Sequence, residues 1–208
     1  VTPGVAFNDE VLNSKSNNFL ASVHFGKKLL GVSFLDVTTG EFLTAQGNSE
    51  YIDKLLRNFN PSEILIPKQC KTTFREHFGE DHHLFFLEDW VYKEDYAVET
   101  LTRHFQTKSL KGFGIEELNE GIIASGAVLY YLSETRHDRL QHITAIHRIA
   151  EDAYVWMDRF TIRNLELYGS TNPNAVTLLD VIDRTISPMG GRLLKRWLAL
   201  PLKDAVKI

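Results

Sequence analysis

Residues 19–45 carry the pattern that most restricts the folds open to this chain. Apolar side chains alternate with others in FLASVHF, again in LLGVSFLDV, and a third time from Glu41 to Ala45. The breaks between these runs contain Gly26-Lys27-Lys28 and Thr38-Thr39-Gly40, which are typical of turns. Because a period of two is that of a β-strand, we predict an antiparallel meander over residues 19–45.

The hydrophobic period changes after the meander. Apolar residues from Ile52 to Phe59 fall at helical spacing, Pro61 follows the predicted helix end, and EILIP predicts a buried strand. A second cycle predicts a helix at 71–78, a strand at 83–87 and a helix at 94–106. Three antiparallel strands followed by alternating helices and strands predict an α/β fold, a ribonuclease-H-like mixed sheet with flanking helices.

The chain becomes helical from Glu116 onward. Gly126 lies in a run of small residues on this predicted helix, which indicates a close approach to another element, since glycine weakens a helix interior. A polar connector follows Arg136, and residues 142–158 predict one strand or two extended pieces. We place a domain boundary at residue 158.

Residues 159–208 predict an all-α segment. A helix is expected from Thr161 to Tyr168, Thr177 and Asp180 have the spacing of a helix-capping pair, and Ser187-Pro188 begins a last helix that Pro201 ends. The side chains expected to point inward from the middle helix are Leu178, Leu179 and Ile182.

Composition excludes several classes of protein. A net charge of −4 disfavours a dedicated nucleic-acid-binding domain, which needs a surplus of Lys and Arg. One cysteine, Cys70, permits no internal disulfide, so we expect a cytoplasmic protein, and no apolar run nears the ~20 residues that cross a membrane. The chain begins at Val1 rather than methionine, and we expect it to be an internal part of a longer protein.

A metal-dependent nuclease is the main rival function, because a ribonuclease-H-like sheet can hold two Mg²⁺ ions between convergent carboxylates. The first strand has no carboxylate, and Asp36 is better explained as a turn residue. Cys70 and the His82-His83 pair lack the spacing of a zinc site. We therefore predict no catalytic residue and no metal ligand.

Several motifs carry a family resemblance. In the C-terminal part these are RNLEL from Arg163 and DRTISPMGGRLLKRWLALPL from Asp183, and upstream they are LDVTTGEF, NPSEILIP and LKGFGIEELNEGIIASGAVLYYL. Together they resemble the MutS family of DNA mismatch-repair proteins. The resemblance implies a connector domain over residues 1–158, of which 1–17 form a linker segment. It also implies that residues 159–208 begin the core or lever domain.

The resemblance places mismatch reading and ATP hydrolysis in other domains. The GxxxxGK[ST] phosphate loop does not occur in the sequence. The family's Phe-x-Glu mismatch wedge has two matches, Phe74-Arg75-Glu76 and Phe86-Leu87-Glu88, outside the family context, and we interpret them as an ordinary helix and strand end. We expect a chain that is not an enzyme and binds no cofactor, with ATP and Mg used by the full-length family.

The partners that the family implies are other MutS domains, a MutL-type protein, mismatched DNA bound through the full-length protein, and a second copy in a homodimer. We expect the connector to couple mismatch recognition to the ATPase allosterically, and to offer MutL a docking surface. On the predicted helix from Glu94 to Phe105, the expected docking residues are Glu99, Thr100 and Arg103, with a solvated face as the alternative.

A second candidate surface is a basic stripe on the last helix. Arg192, Lys195 and Arg196 lie at spacings of three and four, opposite the apolar residues of LLKRWL. The stripe could make weak DNA contacts, which would make the segment a small DNA-binding helical module. The alternative is a solvated or salt-bridged helix face.

Overall fold

The computed structural model describes residues 17–135, 140–149, 153–157, 159–170, 172 and 174–206. These residues form two compact units, of which the first spans Asn18–Ile149 and the second contains the described residues from 153 onward. Asp158, where we placed the boundary, and residues 1–16 of the predicted linker lie outside the described residues.

The first unit is built on a six-stranded mixed sheet. Its strands are β1 (Phe19–Phe25), β2 (Leu30–Asp36), β3 (Glu41–Gly47), β4 (Glu63–Pro67), β5 (Leu84–Leu87) and β6 (His147–Arg148). They follow the order β5-β4-β1-β2-β3-β6. The first three strands pair antiparallel, as predicted, with Val23 opposite Val32 and Phe34 opposite Leu43. The remaining pairs, β1 with β4, β4 with β5 and β3 with β6, are parallel.

Asp36 organises the turn between β2 and β3. Its Oδ1 accepts hydrogen bonds from the backbone N of Thr38 at 2.9 Å and from the Thr38 hydroxyl at 2.6 Å, and its carbonyl accepts one from Gly40 N at 2.9 Å. Gly40 has a φ of 73°, which glycine adopts without strain. The interpretation of Asp36 as a turn residue is therefore confirmed.

The described residues of the first unit also form four α-helices, α1 (Ser49–Phe59), α2 (Lys71–Phe78), α3 (Glu94–His104) and α4 (Asn119–Glu134), of which α1 and α4 pack directly on the sheet. Asn48 caps the start of α1 by accepting a hydrogen bond from Tyr51 N at 2.8 Å, and Asn60, with a φ of 43°, ends it before Pro61. The helices predicted from Ile52 to Phe59, at 71–78 and at 94–106 are thus confirmed to within three residues at either end.

α4 is the central helix of the core, and glycines allow it to approach its neighbours. A Cβ on Gly31 of β2 would lie 2.0 Å from the backbone of Glu120, and one on Gly126 would lie 2.6 Å from both Cα and Cβ of Ala97 in α3. These distances leave no room for a side chain. The close approach predicted at Gly126 is confirmed, and its partner is α3.

The described residues of the second unit form three helices, α5 (Arg159–Asn164), α6 (Leu178–Ile182) and α7 (Pro188–Ala199). Thr177 and Asp180 form the predicted capping box, and Ser187 caps α7 by accepting from Gly190 N at 3.1 Å. The predicted inward orientation is wrong for Leu178 and Ile182, which are 41% and 39% exposed. The five residues of α6 are too few to bury an apolar face against the other described residues.

Among the described residues, no helix has the length and apolar character needed to cross a membrane.

Candidate functional site

α3 presents the predicted docking residues on the outer side of the first unit. Ala97 and Leu101 are fully buried beneath the helix, and Val98 and Phe105 are partly buried against the core. Glu99 and Arg103 are exposed, and Thr100 is half-buried. The structure thus brings the three residues to one helix face.

Glu99 and Arg103 form an ion pair with each other. An Arg103 Nη2 hydrogen donates to Glu99 Oε1, one helical turn away, and both side chains stay more than 60% exposed. Exposed pairs at this spacing contribute only roughly 0.2–0.5 kcal/mol to a helix, so a partner could replace the pair at little cost. This face carries one negative and one positive side chain, so it can pair with a charge of either sign on a partner.

The basic stripe of α7 is less exposed than the sequence suggested. Arg192, Lys195 and Arg196 are half-buried, whereas Leu193 and Trp197 on the apolar side are 45% and 63% exposed. Burial lowers the pKa of Arg196. The described part of the second unit covers the charged side of α7 more than the apolar side.

The rival metal sites do not assemble among the described residues. No group of three histidine, cysteine or acidic side chains lies close enough to hold a metal ion in the part of the chain that is described. Burial and the nearby Asp89 raise the pKa of Cys70, which weakens it as a nucleophile. Burial also lowers the pKa of His82, with Arg57 adding to the effect.

The two Phe-x-Glu matches have structural roles. Phe74 is fully buried in α2, where its ring lies 4.9 Å from that of Phe78. Phe86 belongs to β5, and the ammonium of Lys71 lies 5.6 Å from its ring centroid. Phe74 cannot stack on a DNA base unless α2 leaves the core. The interpretation as an ordinary helix and strand end agrees with both positions.

The structure contains two clusters of side chains that the sequence did not predict. His24 donates from Nδ1 to Glu120 Oε2 at 2.7 Å and stacks on Tyr92. Trp90 packs against Tyr96 and Tyr130 at the surface. Each group joins residues from separate elements, and no spacing along the chain indicates such a contact.

Comparison with known proteins places the chain in one family. The family model described as MutS domain II matches residues 18–144, and the model described as MutS domain III matches residues 160–208. The chain is 79% identical over 208 residues to the DNA mismatch repair protein MutS of Flavobacterium johnsoniae and to that of Flavobacterium psychrophilum. It is 77% identical to that of Christiangramia forsetii.

Each of these alignments covers 100% of the chain and 24% of the relative, so the chain spans about a quarter of the length of the proteins it matches. The domain II match alone covers more than half of the chain, and both matches agree with the motifs noted in the sequence. The chain therefore belongs to the MutS family of DNA mismatch repair proteins, with residues that match its domains II and III.

Proposed function

We propose that this chain is the connector and the first part of the lever of a MutS protein, and that it transmits signals between mismatch recognition and ATP hydrolysis. The observation that carries the proposal is the consecutive match to domains II and III. The chain itself then performs no chemistry and holds no cofactor. ATP, Mg²⁺, mismatched DNA and the second copy of a homodimer belong to the whole protein, in the cytoplasm.

The proposed connector is residues 1–158, with residues 1–17 as a linker, and the proposed lever segment is residues 159–208. The strand order supports a ribonuclease-H-like connector, because β1 lies between antiparallel β2 and parallel β4, and β5 continues the parallel side. Such a sheet provides a rigid body that can move as a unit. Coupling requires two arrangements of this body that the two distant sites favour differently.

A direct activity assay separates a scaffold from the rival functions. The purified chain is incubated with ATP, with Mg²⁺ and labelled DNA or RNA, and with heteroduplex DNA. We expect no turnover and no tight heteroduplex binding. Cleavage of nucleic acid would support the nuclease alternative, and tight heteroduplex binding would support the DNA-binding module.

The α3 face formed by Glu99, Thr100 and Arg103 is the proposed docking surface for a MutL-type partner. Its ion pair permits a test that leaves the helix intact, because the double variant Glu99→Arg with Arg103→Glu keeps the pair and reverses each charge. Helix stability should change by no more than a few tenths of a kcal/mol. We expect weaker MutL binding by the full-length protein that contains this chain.

The control for the swap is the equivalent exchange of Glu50 and Lys54, an ion pair at the same spacing on α1. This second exchange should leave MutL binding as it was. Equal MutL affinities for the wild-type protein and the Glu99–Arg103 swap would remove α3 from the docking surface.

A second proposed contact is between DNA and the basic stripe of α7. The supporting observation is that Arg192, Lys195 and Arg196 lie at spacings of three and four on one side of α7 and each keeps part of its surface exposed. We assume that Arg192, Lys195 and Arg196 each neutralise a phosphate in the full-length protein. The slope of the logarithm of the heteroduplex binding constant against the logarithm of the salt concentration should then become shallower by about 0.9 when one cation is removed. An unchanged slope in Lys195→Gln would exclude this residue from the contact.

A further inference from the structure

Three aromatic rings from three elements meet at the surface of the first unit. Trp90 lies in a short 3-10 helix (Asp89–Tyr92), Tyr96 in the first turns of α3 and Tyr130 near the end of α4. The ring centroid of Trp90 is 5.1 Å from that of Tyr96 and 5.2 Å from that of Tyr130, and the two tyrosines are 6.0 Å apart. All three pairs are edge-to-face, with interplanar angles of 74–75°. We call these residues the aromatic patch.

The aromatic patch is ordered but incompletely covered. Tyr96 and Tyr130 are partly buried against the core, whereas Trp90 is 45% exposed, although tryptophan has much to gain from burial. Because each ring is fixed by two others, a ligand would find a preformed surface and would pay little entropy to order it. An exposed, immobilised tryptophan is also the residue type most enriched in interface hot spots.

The electrostatic surroundings of the patch are negative. Glu134 follows Tyr130 by four positions on α4, so the two side chains lie on the same helix face. Burial, followed by Glu134, Tyr96 and Glu88, raises the pKa of Tyr130. Glu88 is paired with Lys68, but Glu134 has no ion pair with any described residue. The last turn of α4 contains no basic residue, so the negative end of its dipole adds to this field.

The sequence on both sides of the tryptophan strengthens the negative field. Residues 88–95 contain four carboxylates, from Glu88, Asp89, Glu94 and Asp95, against the single cation of Lys93, and of the four only Glu88 has an ion pair with a described residue. Such a field repels phosphates, so a nucleic acid is a poor occupant even though its bases could stack on the rings. A cation is favoured twice, by the carboxylates and by the electron-rich ring faces.

From this geometry we infer that the aromatic patch binds an arginine-bearing segment of a partner protein, with a guanidinium against the exposed part of Trp90 and facing Glu134. Arginine fits better than lysine because its planar, weakly hydrated guanidinium stacks on aromatic rings while it donates to a carboxylate. The inference does not rest on MutL docking, although Tyr96 precedes Glu99 and Thr100 at helical spacing and the two surfaces adjoin.

The test uses the 208-residue chain and a capped heptapeptide of glycine and leucine that contains two arginines. The indole N–H signals of the three tryptophans are followed by NMR during titration, and Trp90→Phe assigns the Trp90 signal. We expect a saturable shift of that signal while those of Trp156 and Trp197 stay in place. A peptide with citrulline for arginine, equal in shape but neutral, should cause no saturable shift.

Two charge variants separate the patch from general electrostatic attraction. Glu134→Gln should weaken peptide binding about two- to fivefold, the range expected for one exposed cation contact. Glu76→Gln removes one exposed charge from α2 and should leave the affinity unchanged. Equal weakening by both variants would contradict a specific site.

Three results would overturn the inference. These are the absence of a saturable Trp90 shift, an equal response to the citrulline peptide, and a Trp90 shift that follows only the concentration of the chain itself. The last result would identify a second copy as the occupant. Because the peptide assay contains no MutL, loss of MutL binding in the Glu99–Arg103 swap with intact peptide binding would separate the two surfaces.

Discussion

Gly126 is the residue whose substitution should disturb the connector most directly. In Gly126→Ala the new Cβ would lie 2.6 Å from Cα and Cβ of Ala97, so α3 and α4 must separate. Overpacking costs typically 1–3 kcal/mol, and the better helix propensity of alanine offsets up to about 1 of it. We expect urea unfolding to show a net destabilisation of about 1–2 kcal/mol.

The control for this substitution is Gly112→Ala, because a Cβ on Gly112 meets nothing within 4 Å. Its effect on stability should stay within about 0.5 kcal/mol. Equal midpoints for Gly126→Ala and wild type would mean that α3 and α4 are not in close contact in solution.

His24 should make the stability of the first unit depend on pH. Burial lowers the pKa of His24, and the attraction of Glu120 opposes that shift only in part. Because the folded pKa lies below the unfolded one, the unfolded chain binds more protons, and stability falls as pH drops below about 6.5. We expect His24→Gln to lose less unfolding free energy than wild type between pH 7.5 and 5.5.

The pKa of His82 is lowered as well. Because His82 is present in both proteins and affects their stability in the same way, the difference between their pH profiles reports His24 alone. Parallel pH profiles for His24→Gln and wild type would show that His24 does not titrate differently on folding.

Single residues differed in how far the sequence could predict them. Gly126, Asp36 and the Thr177–Asp180 pair were predictable because a helix interior, a turn or a cap restricts the residue type locally. The aromatic patch and the His24–Glu120 pair were not, since Glu120 lies 96 positions from His24 and only the packing of α4 on the sheet joins them.

At the scale of the element, α7 should depend on its cap. Ser187→Ala removes the oxygen that accepts from Gly190 N, and loss of such a cap costs about 0.5–2 kcal/mol. We expect faster hydrogen exchange at the Gly190 amide. Ser187→Asp keeps an acceptor and adds a favourable charge at the helix start, so exchange should stay slow. Fast exchange in both variants would show that the cap does not hold this end.

Elements with a strong period and clear breaks were predicted well, whereas β6 and α5 were predicted less well. The meander and α1 to α4 follow from alternation, helical spacing and turn residues within each segment. β6 has two residues and depends on pairing with β3, and α5 ends at Asn164, earlier than the predicted Tyr168. Such short elements gain their stability from tertiary contacts that no local pattern records.

At the scale of the whole molecule, apolar surface is distributed unevenly between the two units. Among the described residues, twelve of the fifteen exposed large apolar side chains lie beyond residue 149, and only Ile162 and Leu200 of the buried apolar ones do. The first unit thus contains its own core, whereas the second leaves apolar faces uncovered. This distribution agrees with a chain that matches 24% of the length of its relatives.

The family match was predictable from motifs in the last fifty residues, but the role of those residues was not. The run from Ser187 to Pro201, which carries the family motif, forms a capped helix with an apolar side and supplies structure rather than chemistry. The proposed role in coupling therefore depends on the longer protein, and a test of it must include that protein.

The most direct test of coupling is mismatch-dependent ATP turnover in a chimera. The chain replaces the matching segment of MutS from Flavobacterium johnsoniae, with which it is 79% identical. ATP turnover is measured with and without heteroduplex DNA for the chimera and for its Gly126→Val and Gly112→Val variants. Coupling through the connector predicts that Gly126→Val keeps heteroduplex binding and basal turnover but loses the response to the mismatch, whereas Gly112→Val keeps all three. A full mismatch response in Gly126→Val would contradict it.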